Sequence, residues 1–194
     1  FFAALDIRDT EVIVPAYTCT AVVNAIIVSG NRPVFVDIEK NGFNMDLIEV
    51  EQALTVKTSA VLATHMFGHT LDNGRLGKII AEGEKRFGKK IWNIQDCALS
   101  FEGSGANRQG DIALYALNIS KIITTVFGGM LTTGEPSLAE QIRAYRDTEF
   151  RRPALLKPLR RFFYLLAVKI AFWNPVYSLV FWIENNTRFL NRFN

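Results

Sequence analysis

The first 146 residues switch repeatedly between two hydrophobic patterns: short continuous apolar runs, and apolar positions three and four apart. Glu11-Val12-Ile13-Val14-Pro15 is a continuous run closed by proline and reads as a short buried strand. Thr18 to Ser29 carries apolar residues at helical spacing, with Thr18 or Thr20 as the expected N-cap and Gly30 just past the end. Pro33 to Asp37 is the next strand, and Asn44 or Asp46 caps a helix over Leu47 to Leu54. Ser59 to Thr64 returns to strand, and Leu71 to Phe87 is a long helix stopped by Gly88. Lys90 to Gln95, Asp111 to Leu117 and Met130 to Thr133 are further strands, and Ser137 to Arg146 is a charged helix.

Strands alternating with helices predict an α/β fold, a mostly parallel sheet with helices on both faces. Right-handed crossovers gather the strand C-termini on one edge, where ligands of such sheets sit. The strand ends at Pro15, His65 and Asp96 are therefore expected to converge. Residues 1–150 form one such domain. After Phe150 the pattern changes: Arg151-Arg152-Pro153 interrupts it, and a run dense in Leu, Phe, Trp and Tyr follows, broken by Pro175. Residues 151–194 read as a separate helical segment. The opening Phe1-Phe2-Ala3-Ala4-Leu5 reads as the end of a helix already under way, so the chain is expected to start inside a longer one.

Charge sharpens this division. Residues 1–150 hold 14 basic and 18 acidic side chains, whereas 151–194 hold 8 and 1, although the whole chain is only +3. A basic, aromatic terminal segment points to a surface-binding role. Cys19 and Cys97 lie far apart in apolar runs and are expected to be buried free thiols in a reducing cytoplasm. No metal-ligand spacing occurs, and no signal peptide is visible. Lys85-Arg86 with Lys89-Lys90 complements a helix dipole, and without interleaved aromatics it gives no case for nucleic acid. Gly103-Ser104-Gly105 neither follows a strand directly nor precedes Lys-Ser/Thr, so it reads as a loop, not a phosphate cradle.

The candidate chemistry sits between Asp96 and Lys121. One apolar strand, Ile91 to Asp96, ends on a carboxylate. A second, Tyr115 to Ile119, is followed by Ser120-Lys121 and then the diglycine Gly128-Gly129. An acid and an amine near neighbouring strand ends suit a cofactor with a basic ring nitrogen and a carbonyl, as in pyridoxal phosphate. The amine would form the Schiff base and the carboxylate would keep the ring nitrogen protonated. The bland alternatives are a solvated surface lysine and a turn-forming aspartate. His65, by the same weighing, is a packed structural histidine.

Together with Val14-Pro15-Ala16-Tyr17-Thr18, Pro33-Val34-Phe35-Val36-Asp37 and His65-Met66-Phe67-Gly68, this stretch resembles the DegT/DnrJ/StrS family of sugar aminotransferases, over roughly residues 5 to 147. The resemblance implies the large domain of a fold-type-I pyridoxal-phosphate enzyme, incomplete here. It implies amino transfer, from glutamate, to a keto group of a nucleotide-linked sugar in cell-surface polysaccharide or secondary-metabolite synthesis, by a cytoplasmic homodimer. Lys121 matches the cofactor-anchoring lysine, with Asn118 and Ser120 in its motif, and Asp96 the partner of the ring nitrogen. Cys19 falls where an aromatic usually stacks on the ring, and Ala116 where a serine binds the cofactor phosphate. Leu99 replaces the Gln or His that touches the phenolic oxygen, with Ser100 the neighbouring hydroxyl, and Val126-Phe127 replaces the Gly-Glu before the diglycine. Two rivals share the fold: a sugar dehydratase, in which the resemblance implies histidine in place of Lys121, and an inactive regulatory or scaffold relative at a membrane. The basic aromatic segment 151–194 is expected to meet an anionic membrane surface or to pack on further protein.

Overall fold

The computed structural model describes residues 1–100, 110–121, 123–125, 127–150 and 156–186. Two compact units divide the chain, Phe1–Phe150 and Arg151–Asn194. The expected Gly103-Ser104-Gly105 loop, Val126, Arg151, Arg152, Pro153, Arg188 and Arg192 lie outside the described residues.

The first unit holds six strands: β1 Glu11–Pro15, β2 Arg32–Val36, β3 Thr58–Thr64, β4 Trp92–Asp96, β5 Ile112–Ala116 and β6 Gly129–Thr132. Its helices are α1 Thr20–Val28, α2 Leu47–Ala53, α3 Asn73–Phe87 and α4 Pro136–Glu149. The strands form one sheet in the order β2-β1-β3-β4-β5-β6, parallel from β2 to β5 and antiparallel only between β5 and β6. The α/β class and the mostly parallel sheet agree with the pattern.

Both sheet faces are covered, so the strands read as continuous apolar runs instead of alternating ones. Ile13, Val61 and Ala63 pack with Leu47 and Val50 of α2 and Leu76, Ile79 and Ile80 of α3. Val12, Val14, Ala60, Leu62 and Ile94 face the other way, against Ile26 of α1, with Phe1, Phe2 and Trp92 at the margin. Burying each such Val, Leu or Ile is worth roughly 1.5–3 kcal/mol, and this two-sided core fixes where the strand ends lie.

The capping chemistry is local. Asp46 Oδ1 accepts from the Ile48 N–H, and Asp72 Oδ1 from the Arg75 N–H. Gly88 closes α3 in the left-handed region, φ 66°, which glycine adopts without strain. α1 departs from expectation: its N-cap is Cys19, which makes no side-chain capping bond, and Thr18 turns away to Thr64. Phe2–Leu5 is a single 3-10 turn ended by Asp6 at φ 49°, not the end of an α-helix.

The second unit is a pair of helices, α5 Leu156–Ala171 and α6 Asn174–Asn186, bent by 72°. Pro175 lies in the first turn of α6, where its missing N–H is tolerated but α5 cannot continue through it.

Candidate active site

The order of the strands creates the site. From β1 the chain steps outward to β2, then returns to place β3 on the opposite side of β1. Ligands of open α/β sheets bind at the carboxyl edge of such a switch point. At that edge the Thr18 hydroxyl lies 3.3 Å from the Thr64 hydroxyl, and Thr64 Oγ1 donates to Asp96 Oδ2 at 3.5 Å. Three strand ends are thus tied together by side chains. Thr64 was not singled out from the sequence. An isolated threonine at a strand end gives no signal until its neighbours are known.

Asp96 is the last residue of β4, paired with Thr64 on one side and Leu114 on the other. The His65 N–H donates to its carbonyl, and Ala98 N–H donates to Oδ1 at 3.0 Å. The residue is 7% exposed. Burial pushes its carboxyl above the usual carboxylate range, against the opposing influence of the Ala98 N–H, the Lys121 charge and the Thr64 hydroxyl. Desolvation therefore outweighs the contacts on the chain itself. Among the described residues Asp96 forms no ion pair. A buried carboxylate of this kind is suited to a cationic partner supplied from outside.

Lys121 lies in the connection between β5 and β6, where the hairpin closes on itself. Leu117 N–H donates to the Gly128 carbonyl, and Thr125 N–H to the Leu117 carbonyl. Inside it, Asn118 Oδ1 accepts from both the N–H and the hydroxyl of Ser120, and Lys121 N–H closes the turn on the Asn118 carbonyl at 3.1 Å. Asn118 therefore shapes the turn that presents the lysine. The diglycine is closely packed: a Cβ on Gly128 would meet Thr125 Oγ1 at 2.4 Å and displace that side chain, and one on Gly129 would lie 3.3 Å from the Tyr115 carbonyl.

A crevice of about 10 Å³ runs between Cys97–Ser100 and Tyr115–Ile123, with Ala116, Leu99 and Lys121 in its walls. That is room for about one water. Ser100 is buried beside it and Leu99 partly exposed. The methyl group of Ala116 and the side chain of Leu99 offer no hydrogen bond. A much larger cavity, about 920 Å³, lies between Phe1, Leu114, Met130 and Ile142, but no lysine and no carboxylate lines it. The chemistry belongs to the small crevice.

His65 is fully buried and structural in its bonding. Its Nδ1 accepts from the Leu71 N–H, so Nε2 carries the hydrogen and donates to Gln95 Oε1 at 2.8 Å. Gln95 in turn donates to Asn93. Tyr17, Phe67, Phe43 and His69 form a chain of ring contacts at centroid distances of 5.1–6.2 Å.

The expectation of two buried thiols fails at Cys19, which is exposed, whereas Cys97 is buried. Ending a loop at a helix start leaves Cys19 outside the core. Burial, with the neighbouring Asp96 charge, pushes the Cys97 thiol up to about 12. Only the thiolate attacks electrophiles. Mildly alkaline iodoacetamide should therefore modify Cys19 rapidly and Cys97 only after unfolding, as read by peptide mass mapping. Equal labelling of both in the folded protein would contradict the packing around Cys97.

By chemistry, a carboxylate and an amine suit pyridoxal phosphate at two points: Asp96 could hold the ring nitrogen and Lys121 the carbonyl.

The model of the DegT/DnrJ/EryC1/StrS aminotransferase family matches residues 2–160. GDP-perosamine synthase of Escherichia coli O157:H7 is 35% identical over 135 residues, which cover 68% of this chain and 35% of that protein. The dTDP-4-dehydro-2,3,6-trideoxy-D-glucose 4-aminotransferase of Saccharopolyspora spinosa is 34% identical over 145 residues, 72% of this chain and 36% of that one. A protein of Streptococcus pneumoniae described as a sugar aminotransferase, Spr1654, superposes in its PLP form with a TM-score of 0.65 at 28% identity, covering 75% of this chain and 41% of that one. The chain spans just over a third of the length of the curated relatives it matches.

Proposed function

Because the chain belongs to the DegT/DnrJ/EryC1/StrS aminotransferase family, we propose that it is the cofactor-binding part of a pyridoxal-phosphate-dependent sugar aminotransferase. The observation that carries the reading is the buried Asp96 carboxylate, which feels the Lys121 charge and directly precedes Cys97 in the wall of the crevice that Lys121 lines. The substrate is a keto nucleotide-sugar and the amino donor glutamate. The protein works as a homodimer in the cytoplasm. Lys121, absent in the dehydratase pattern, favours amino transfer over dehydration.

When bound, the cofactor supplies an electron sink for the carbanion formed next to the amino nitrogen. Asp96 would hold the ring nitrogen in its protonated form, and the Thr64 hydroxyl and Ala98 N–H hold that carboxylate in place. Lys121 would hold the cofactor carbonyl and serve as the amine that takes and returns a proton. The Asn118–Ser120 turn sets the backbone that presents Lys121 in the wall of the crevice.

The test uses two proteins. The complete protein should bind one equivalent of pyridoxal phosphate per subunit and convert it to the amino form on adding glutamate, followed by absorbance. The 194-residue chain should bind it at least tenfold more weakly, since its crevice is small and Ala116 makes no phosphate contact. No spectral change in the complete protein would remove the aminotransferase reading. Tight monomeric binding by the 194-residue chain would refute this account of the site.

A further inference from the structure

We propose that the α5–α6 pair is a membrane-surface anchor that lies in the headgroup region of an anionic phospholipid bilayer. The family match ends at residue 160, so most of this pair is additional to the matched catalytic region. Fifteen large apolar or aromatic side chains between Leu156 and Trp182 are each at least 40% exposed. So extensive an apolar surface marks an interaction site.

The charge pattern selects lipid as the occupant. Residues 151–194 hold 8 basic side chains and 1 acidic one, while residues 1–150 carry a net negative charge. On α5, Arg160, Arg161 and Tyr164 share one side, and Leu159, Phe162, Phe163, Leu166 and Ile170 recur at helical spacing on the other. On α6, Asn174, Ser178 and Asn185 line one side together with Phe181, and Val176, Leu179, Val180 and Ile183 the opposite one; it carries no basic side chain. The basic polar face of α5 above its apolar aromatic face is the arrangement of a helix lying in a membrane interface, and α6 extends the apolar surface. Trp173, Tyr177 and Trp182 are side chains that this zone favours, and Phe172 stacks on Tyr177 at the corner between the helices.

Length and bend argue against crossing. The helices have 16 and 13 residues, roughly 24 and 20 Å at 1.5 Å per residue, against a hydrocarbon core of about 30 Å. Among the described residues no single helix is long and apolar enough to cross; the two reach the length and composition of a span only taken together, across a 72° bend. Lys169 interrupts the most apolar stretch, where a central lysine is costly. Lying flat removes that cost and sets Arg160 and Arg161 against lipid phosphates.

Flotation of the complete protein with vesicles of phosphatidylcholine, with and without phosphatidylglycerol, tests the proposal. Recovery should require phosphatidylglycerol and fall with added salt. The double variant Arg160→Glu/Arg161→Glu should bind at least about tenfold more weakly, since each basic side chain near the surface contributes about fivefold. In a Trp92→Phe background, Trp173 and Trp182 fluorescence should be quenched best by lipids brominated near the headgroup; this readout needs no change in α5 or α6. Equal recovery with both vesicles, or none with either, would overturn the proposal and leave packing against protein as the role of this face. Strongest quenching by bromine at the bilayer centre would overturn it in favour of a span. None of the residues placed at the cofactor site lies in α5 or α6, so Lys121→Ala should float like the unmodified protein. Failure of either reading therefore leaves the other intact.

Discussion

Replacing Lys121 by alanine should abolish amino transfer by the complete protein, with turnover falling at least about ten-thousandfold. The side chain has two tasks that no neighbour can take over. Among the described residues it is the only lysine in the crevice beside Asp96. Its turn is built by Asn118 and Ser120 and closed by the Gly128 carbonyl on Leu117, so removing the amine does not disturb the hairpin. Borohydride reduction of the cofactor-loaded protein followed by peptide mapping should place the label on Lys121 alone. Label on another lysine, or unchanged turnover of the variant, would show that the crevice is not the reacting centre.

Asp96→Asn should have two effects of opposite sign. The amide keeps the acceptor for the Ala98 N–H but cannot hold a charged ring nitrogen, so turnover should fall roughly a hundred- to a thousandfold while the cofactor stays bound. That is about 2.7–4 kcal/mol, the lower part of the loss seen when one partner of a buried charge pair is removed. Stability should move the other way. Burial holds the Asp96 carboxyl above its ordinary value, so the folded chain binds this proton more tightly than the unfolded chain. The stability this group confers is complete below the unfolded-state pKa, about 3.9, and is lost as pH rises through the folded value. Near neutral pH the ionised Asp96 is thus destabilising in the cofactor-free protein. Asn at this position should raise cofactor-free stability there, a gain that vanishes in acid. Thermal melts across pH measure it. A variant less stable than the parent at neutral pH would mean that Asp96 is compensated within the chain.

The sheet was legible because its core strands are apolar on both faces and its helix ends carry local signals. Asp46 caps and Gly88 terminates through bonds to near neighbours, which the sequence displays directly. Thr18 was misread for the converse reason. A threonine before a helix is a good cap by local rules, but here the switch point brings Thr64 within reach, and Cys19 takes the cap position without bonding. The antiparallel turn of β6 was not foreseen either. Its signal is the Gly128-Gly129 pair, which makes sense only once Thr125 and the Tyr115 carbonyl are seen crowding it. Asp96 and Lys121 stood out as isolated residues. Their proximity, and the burial that unsettles Asp96, depend on pairings made across the sheet.

The hairpin that carries Lys121 also keeps the two candidate groups close along the chain. Ala116 pairs with Gly129 and Ala113 with Thr132, thirteen to nineteen positions apart, and Asp96 pairs with Leu114 across eighteen. Thr64 reaches Asp96 across thirty-two, a loop whose closure costs roughly 0.5 kcal/mol more than one of eighteen. The acid and the amine therefore lie on strands that find one another over short, similar stretches of chain, and β3 joins the carboxylate over the longer one.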